Sequence, residues 1–147
     1  MKKLAMAIVM VLICVGVWAA DPDKIIYEEY GNGWLVVGYD GVAVGHLEIP
    51  TNYDDYPILS IANYAFTNHQ LTSLIIPEGV IAIGMYAFKN NQLTNVVFPD
   101  SLLDIDEEAF RNNKLTNIEL GERTNFVRLG STRGQPSFDI NITVTQR

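Results

Sequence analysis

The densest group of side chains that could bind a metal ion or catalyse a reaction consists of four carboxylates. They lie close together in the sequence, at Asp104, Asp106, Glu107 and Glu108. Carboxylates at this spacing could hold a calcium ion or act as an acid and base pair. The run lacks the length and the glycine of a calcium-binding loop. We therefore interpret this acidic cluster as a solvated convex edge of the fold.

His46 and His69 are the only histidines, and the repeat described below assigns them to different coils. The only cysteine, Cys14, belongs to the N-terminal apolar segment, so the rest of the chain offers no ligand spacing for zinc. We expect a structural position for each histidine. Because no catalytic site is visible, the sequence predicts that the protein is not an enzyme and holds no metal or cofactor.

A third group combines aromatic and acidic side chains in one short loop, Tyr53, Asp54, Asp55 and Tyr56. Such a loop could form an acidic and aromatic contact patch on the surface. Turn formation explains the two aspartates equally well, because aspartate side chains hydrogen-bond their own backbone in turns. The sequence leaves both interpretations open.

The elements that must position these residues are set by an internal repeat, whose period of about 22 residues is typical of stacked coils. The segment 64–72 returns as 86–94 and again as 108–116, each time with an Ala-Phe pair followed by asparagine and Leu-Thr. Because one coil cannot bury its own apolar side, neighbouring coils must cover one another. Any function is therefore expected on an extended surface.

Within a coil, alternation along the segment 71–76 sends Leu74 and Ile76 to the core and leaves Ser73 and Ile75 facing outward. The second half of the coil contributes further core residues, and the Ala-Phe pair fills one corner. The predicted core positions are Leu47, Ile49, Leu74, Ile76, Val80, Ile83, Ala87, Phe88, Leu93, Val96, Phe98, Leu102, Ile105, Leu115, Ile118 and Leu120.

Two asparagine columns are predicted at the corners of the coils, one from Asn68, Asn90 and Asn112 and a second from Asn91 and Asn113. A buried amide can bond to the backbone of the turns above and below it, which satisfies groups that a tight corner leaves unpaired. We interpret both columns as structural ladders.

Both ends of the stack are expected to carry caps, because open ends would expose apolar layers and unpaired strand edges. Asp40-Gly41 between the segments 34–38 and 42–44 predicts an N-terminal hairpin, since both turn positions accept positive φ. At the other end the period-two segment 138–144 predicts an edge strand. Its inward residues would be Phe138, Ile140, Ile142 and Val144.

The outward strand positions are the predicted recognition surface, because a solenoid presents its strands as an extended surface with aligned side chains. Ile75 and Val97 would be exposed apolar residues in adjacent coils and would together anchor a partner. The alternative is that branched residues at these positions only reflect strand propensity. We call this predicted surface the strand face; its residues are Ser73, Ile75, Asn95, Val97, Asn117 and Glu119.

The N-terminal segment has the features of a secretory signal peptide. Lys2 and Lys3 precede an uncharged apolar run at 4–17, and small residues at Val17 and Ala19 predict cleavage after Ala19. An uncleaved anchor is the alternative, although the run is shorter than a spanning helix. Without the two lysines the net charge changes from −7 to −9, which disfavours nucleic acid and anionic membrane surfaces as partners.

The segment 76–88, Ile-Pro-Glu-Gly-Val-Ile-Ala-Ile-Gly-Met-Tyr-Ala-Phe, resembles the I-P-x-x-V-x-x-I-G-x-x-A-F repeat of BspA-like leucine-rich-repeat proteins. The likeness covers residues 34–120, and a short insertion after Ile49-Pro50 resembles the first coil of that family. The repeat loses its proline at Gly121 and decays after Leu120. The resemblance implies a secreted or surface-exposed microbial protein, with adhesion to host or matrix proteins reported for some members.

The sequence therefore predicts a β-rich repeat solenoid of the leucine-rich-repeat type, with about four coils of about 22 residues and short helical or 3-10 turns. Its predicted parts are a signal peptide at 1–19, an N-terminal cap hairpin at 20–45, the solenoid at 46–129, and a C-terminal cap or tail with an edge strand at 130–147. The expected function is an exported module that binds a host or microbial surface protein through the strand face. The alternative is a structural protein that associates with itself and has no ligand of its own.

Overall fold

The strands of the chain wind into a β-solenoid of about four turns, in which the chain passes back and forth between two groups of strands. The computed structural model describes residues 19–126, 136–139 and 141–147. The strands are β1 (Ile25–Tyr30), β2 (Gly33–Tyr39), β3 (Val44–Glu48), β4 (Asn52–Tyr53), β5 (Tyr56–Ile61), β6 (Gln70–Ile75), β7 (Ala82–Ile83), β8 (Asn95–Val97), β9 (Asp104–Ile105), β10 (Asn117–Leu120), β11 (Asn125–Phe126) and β12 (Thr143–Gln146).

Successive coils pair strand to strand in two places. The front group consists of two parallel ladders, β3-β6-β8 and β10-β12, whereas the back sheet has the order β1-β2-β5-β7-β9-β11, with β4 paired to β5. Leu74 pairs with Val96 in the front group, and Ile83 pairs with Ile105 in the back sheet, so each partner lies one repeat further along the chain. The register thus follows the sequence repeat, which is why equivalent side chains form columns.

Those columns form one hydrophobic cluster that both groups of strands cover. Every core position expected from the repeat is buried, from Leu47 in the first coil to Leu120 in the last. Phe66, Phe88 and Phe110 stack at centroid distances of 5.2 and 5.1 Å. Each fully buried side chain of this kind contributes about 1.5–3 kcal/mol before the entropy of ordering the coil is subtracted.

The asparagine columns are structural, but they work in two different ways. Asn91 is buried, accepts the Leu71 N–H at 3.0 Å, and donates to the carbonyls of Phe66 and Phe88 at 2.8 and 3.1 Å. Asn113 repeats this pattern one coil further along. The second column thus bonds to the backbone as expected.

The first column is exposed and bonds side chain to side chain. The amide of Asn90 donates to Asn68 at 2.7 Å, and that of Asn112 donates to Asn90 at 2.8 Å. All three residues have φ near +60°, a conformation that asparagine tolerates better than most residues. These asparagines therefore stabilise the corner in two ways, by adopting its backbone conformation and by forming a ladder of side-chain hydrogen bonds.

The prediction of a hairpin at Asp40-Gly41 was wrong. The hairpin joins β1 to β2, with Tyr30 opposite Gly33 and the turn at Gly31. Gly41 instead has φ +93° at the corner where the chain leaves the back sheet for the front ladder. The Asp-Gly pair therefore marked a bend that connects the two groups of strands.

The prediction of an edge strand at 138–144 was wrong in its bounds, because the strand spans Thr143–Gln146 and pairs parallel with β10. Phe138 lies before it and stacks on Phe110 at 5.3 Å, while Ile142 and Val144 are half-buried. Ile140 lies outside the described residues. Residues 136–139 and 141–146 therefore continue the solenoid beyond Leu120.

Helical turns are scarce compared with expectation. Within the described ranges the only one is the 3-10 helix Pro22–Lys24, and the Ala-Phe corners are hydrogen-bonded turns. No helix in this part of the chain is long and apolar enough to cross a membrane. Residues 1–18 of the predicted signal peptide 1–19 lie outside the described residues. The domain boundaries at 19, 45 and 129 stay predictions.

Candidate functional site

The predicted strand face lies on three strands of the front group, at alternating positions. Register places Ser73 beside Asn95 and Ile75 beside Val97 on β6 and β8. Asn117 and Glu119 lie on β10, which belongs to the other ladder of the front group. The structure therefore places four of the six residues in two adjacent rows and the remaining two on a separate pair of strands.

The apolar part of the strand face is smaller than expected. Val97 is 48% exposed, but Ile75 is half-buried, so the prediction that both are exposed was wrong for Ile75. Ile75 has a strand neighbour on each side, with Glu48 and Val97 as its register partners, and these flanking strands shield it. Val97 is therefore the main apolar contact that this face offers.

Ser73 is held by a histidine from the preceding coil. His46 Nδ1 lies 2.8 Å from Ser73 Oγ, and the two residues are register partners on β3 and β6. The His46 carbonyl also accepts the Ala20 N–H at 2.7 Å. His46 thus has the structural position that the sequence led us to expect, at the start of the strand face.

Glu119 ends the strand face in a small network of charges. Arg147 donates to Asp100 Oδ1 at 2.8 Å through Nη2, and its Nη1 lies 3.5 Å from Glu119 Oε2. The hydrogen bond and charge of Asp100 raise the pKa of Arg147, so the guanidinium stays charged. All three side chains are exposed, and solvent screening makes such pairs weak.

Sequence reasoning missed the residues that lengthen the strand face at both ends. Glu48 extends the row of Ile75 and Val97, and Thr143 and Thr145 lie beside Asn117 and Glu119 on β12. All three are exposed. Leu47 already marked the first copy of the repeat, so Glu48 could have been found from the sequence. The threonines could not, because the spacing from β10 to β12 departs from the period of the repeat.

His69 takes the position of Asn91 and Asn113, the second asparagine column, in the first full coil. Its Nδ1 accepts the Ala43 N–H at 2.9 Å, as the side-chain oxygens of Asn91 and Asn113 accept backbone donors in later coils. Burial lowers the pKa of His69. The structural position expected for this histidine is confirmed by these contacts.

The acidic cluster at 104–108 is less exposed than the solvated edge that we expected, because all four carboxylate residues are partly buried. Asp106 Oδ1 accepts the Glu107 N–H at 2.8 Å, and Glu108 pairs with Lys89 of the preceding coil. Across the described residues no group of three or more histidine, aspartate or glutamate side chains could hold a metal ion.

Comparisons with known proteins agree with this architecture. The sequence of residues 59–132 matches the family model described as "BspA type Leucine rich repeat region (6 copies)". A leucine-rich repeat protein from Bacteroides capillosus ATCC 29799 is 25% identical with a TM-score of 0.69, covering 84% of this chain and 94% of its own. No curated protein matches the sequence.

Two further solved structures share the fold. The leucine-rich repeat protein TpLRR of T. pallidum is 21% identical with a TM-score of 0.62, covering 88% of this chain and 64% of its own. The pneumococcal vaccine antigen PcpA is 16% identical with a TM-score of 0.52, covering 84% and 35%. Since the family match spans half of the sequence, the chain belongs to the BspA-type leucine-rich repeat proteins.

Proposed function

We propose that the protein is an exported, non-enzymatic module that binds a protein partner through the strand face. The observation that carries the proposal is the in-register ladder β3-β6-β8, on which outward side chains from three coils form adjacent rows. Parallel rows on a solenoid give an extended contact surface whose side chains are held by the backbone ladder. The BspA-type family is typically found at bacterial surfaces or secreted, which supports a partner outside the cell.

The chemistry of the face indicates what it would contact. One row is polar and uncharged, with Ser73 and Asn95 able to donate and accept hydrogen bonds. The next row has an apolar centre at Ile75 and Val97 with the carboxylate of Glu48 beside it. A partner with an apolar contact bordered by hydrogen-bonding groups and a basic side chain would fit this pattern.

The test is a binding array of extracellular-matrix and cell-surface proteins, probed with the wild type and with Val97→Lys. A lysine at this position buries a charge in the contact, so the affinity should fall about tenfold or more. Ile75→Lys serves as a second variant, read only if its circular dichroism and melting temperature match the wild type, because Ile75 is half-buried.

The residues that precede β7 and β9 provide the control. Ile81 and Leu103 are 42% and 40% exposed apolar residues in adjacent coils, one repeat apart. Ile81→Lys with Leu103→Lys should leave the affinity unchanged. If this pair weakens binding as much as Val97→Lys does, the strand face is not the contact surface.

The alternative is a self-assembling structural protein whose solenoid ends stack on other copies. It is favoured by the parallel ladders themselves, because an edge strand such as β12 can template a further strand. Light scattering in the same experiment separates the two functions. Oligomers that grow with concentration, without a saturable partner in the array, would replace the binding proposal with the structural one.

A further inference from the structure

Two hairpin tips meet at the N-terminal end of the back sheet. The first tip is at Gly31, between β1 and β2, and the second is Asp54-Asp55, between β4 and β5. Asp54 and Asp55 have φ of 48° and 66°, the pattern of a two-residue hairpin turn with both central residues at positive φ. The second tip is the insertion that follows the Ile-Pro of the first coil, so the repeat itself did not require it.

A glycine keeps the two hairpins together. A Cβ at Gly33 would overlap the Pro57 carbonyl oxygen and lie 2.8 Å from Leu59 Cγ. Only glycine therefore allows β2 to approach β5 this closely. Next to it Tyr53 stacks on Tyr27 at a centroid distance of 4.1 Å and makes a T-shaped contact with Trp34 at 5.0 Å, so aromatic side chains of the two hairpins pack together.

The hairpin tips enclose an open cavity of about 340 Å³. Its lining includes two carboxylates, Glu29 and Asp54, and two aromatic side chains, Trp34 and Tyr56. In the described parts of the chain, neither carboxylate has an ion pair, and no lysine or arginine lines the cavity. Carboxylates beside aromatic faces attract an organic cation, through charge and through the negative faces of the rings.

Net negative charge is concentrated in the N-terminal part of the chain, to which all residues that line this cavity belong. Residues 19–56 contain eight carboxylates and one lysine, whereas residues 57–147 contain nine carboxylates and seven basic residues. Burial is the main cause that raises the pKa of Tyr27 to about 12, with smaller contributions from Tyr53 and from the negative field of Asp23. Such a field increases the local concentration of cations and steers them toward the surface.

We propose that this hairpin cavity binds one organic cation, the guanidinium group of an arginine on a basic peptide segment. The planar guanidinium can stack on Trp34 or Tyr56 while it donates hydrogen bonds to Glu29 and Asp54. The site lies on β1, β2, β4 and β5, whereas the strand face lies on the front group. It is therefore independent of the proposed function, and its failure would leave that function untouched.

The test uses the full chain carrying Trp18→Phe, which leaves Trp34 as the only tryptophan. Titration with the peptide acetyl-Gly-Arg-Gly-amide should change the fluorescence of Trp34 saturably at low salt. The same peptide with citrulline, which keeps the shape of arginine and loses its charge, should bind about tenfold more weakly. Choline is the third probe, because its quaternary ammonium presents the same charge from a small molecule.

Two double variants with the same change of charge locate the site. Glu29→Gln with Asp54→Asn removes both cavity carboxylates and should weaken the arginine peptide about tenfold. Glu28→Gln with Asp55→Asn alters the neighbouring residue of the same strand and of the same turn, outside the cavity, and should leave binding close to wild type. If both double variants lose the same affinity for the arginine peptide, the binding reflects only the general negative charge of the chain, and the proposed site is wrong. Equal binding of citrulline, or tighter binding of choline than of the arginine peptide, would overturn arginine as its ligand.

Discussion

At the scale of the residue, His69 shows how one position in the repeat can carry pH sensitivity. Its imidazole accepts the Ala43 N–H, which requires an unprotonated Nδ1, and burial lowers its pKa below the usual 6.5. Below about pH 6.5 the unfolded chain therefore binds the proton more readily than the folded one. The stability contributed by the neutral imidazole is present above that pH and is lost as pH falls toward the lower pKa of the folded state.

His69→Asn should remove this dependence, because Asn91 and Asn113 accept backbone donors at the equivalent position in the next two coils. Thermal melts of both proteins from pH 7.5 to 5 should show a smaller fall in melting temperature for the variant. Parallel curves for the two proteins would mean that His69 does not titrate in this range. His46→Asn, on β3, gives the control for loss of the other histidine.

The contacts of individual side chains were predictable only where the repeat repeats them. The asparagine columns follow from residues at one place in every coil, and the structure contains both. The His46 to Ser73 contact and the Arg147 to Glu119 pair join residues of different type, and Arg147 comes from the last residue of the chain. Nothing in the period of the sequence marks such pairs, so they needed the three-dimensional arrangement.

At the scale of the element, the departures from prediction have specific causes. The segment Gly31-Asn32-Gly33 forms the hairpin turn, but Asp40-Gly41 looked stronger in the sequence because both of its turn positions accept positive φ. At the C-terminus, Phe138 follows Phe110 at a longer spacing than the period of the repeat, so the last copy of the corner was not recognised. Phe138 nevertheless packs in the core, where its aromatic ring covers Phe110.

Phe138→Ala should therefore destabilise the whole solenoid, although its segment looks like a tail in the sequence. Phe138 is buried, stacks on Phe110 and makes T-shaped contacts with Phe98 and Phe126. Loss of a buried phenylalanine ring lowers the free energy of unfolding by about 3 kcal/mol or more. Urea denaturation measures this difference through the midpoint and slope of the transition.

Ile142→Ala provides the comparison in the same segment, because Ile142 is only half-buried against the core. It should lower the free energy of unfolding by about 1 kcal/mol, less than Phe138→Ala does. If the two variants are equally mild, Phe138 and β12 are not part of the cooperative solenoid.

At the scale of the whole molecule, stability and function share the same one-dimensional construction. Each coil contributes one strand to the front group and one to the back sheet, so the chain gains exposed rows as it gains buried columns. The cavity at the hairpin tips is not part of this repeating construction, since it arises from an insertion into one coil. Features that recur in every coil can therefore be predicted from the sequence alone. A feature that occurs once can be identified only when the three-dimensional structure shows which residues surround it.

The predicted export of the protein has a consequence for the order of its maturation. Ala19 forms a bridge with His46, and Ala20 is 7% exposed with its N–H bonded to the His46 carbonyl. A signal peptidase needs an extended, accessible chain at the cleavage site, so the bond between these alanines must be cut before the solenoid folds. When the protein is made in exporting bacterial cells, intact-mass spectrometry should then find a mature N-terminus at Ala20.

Ala19→Arg should block this cleavage, because the site requires a small residue. Ala19 is exposed, so the variant should still fold, and its mass should retain residues 1–19. Full-length protein that has folded first should resist the same peptidase in vitro, since the scissile bond is then held against β3. An uncleaved, membrane-bound wild type would establish the anchor in place of the signal peptide, while rapid cleavage of the folded chain would contradict the inferred order of cleavage and folding.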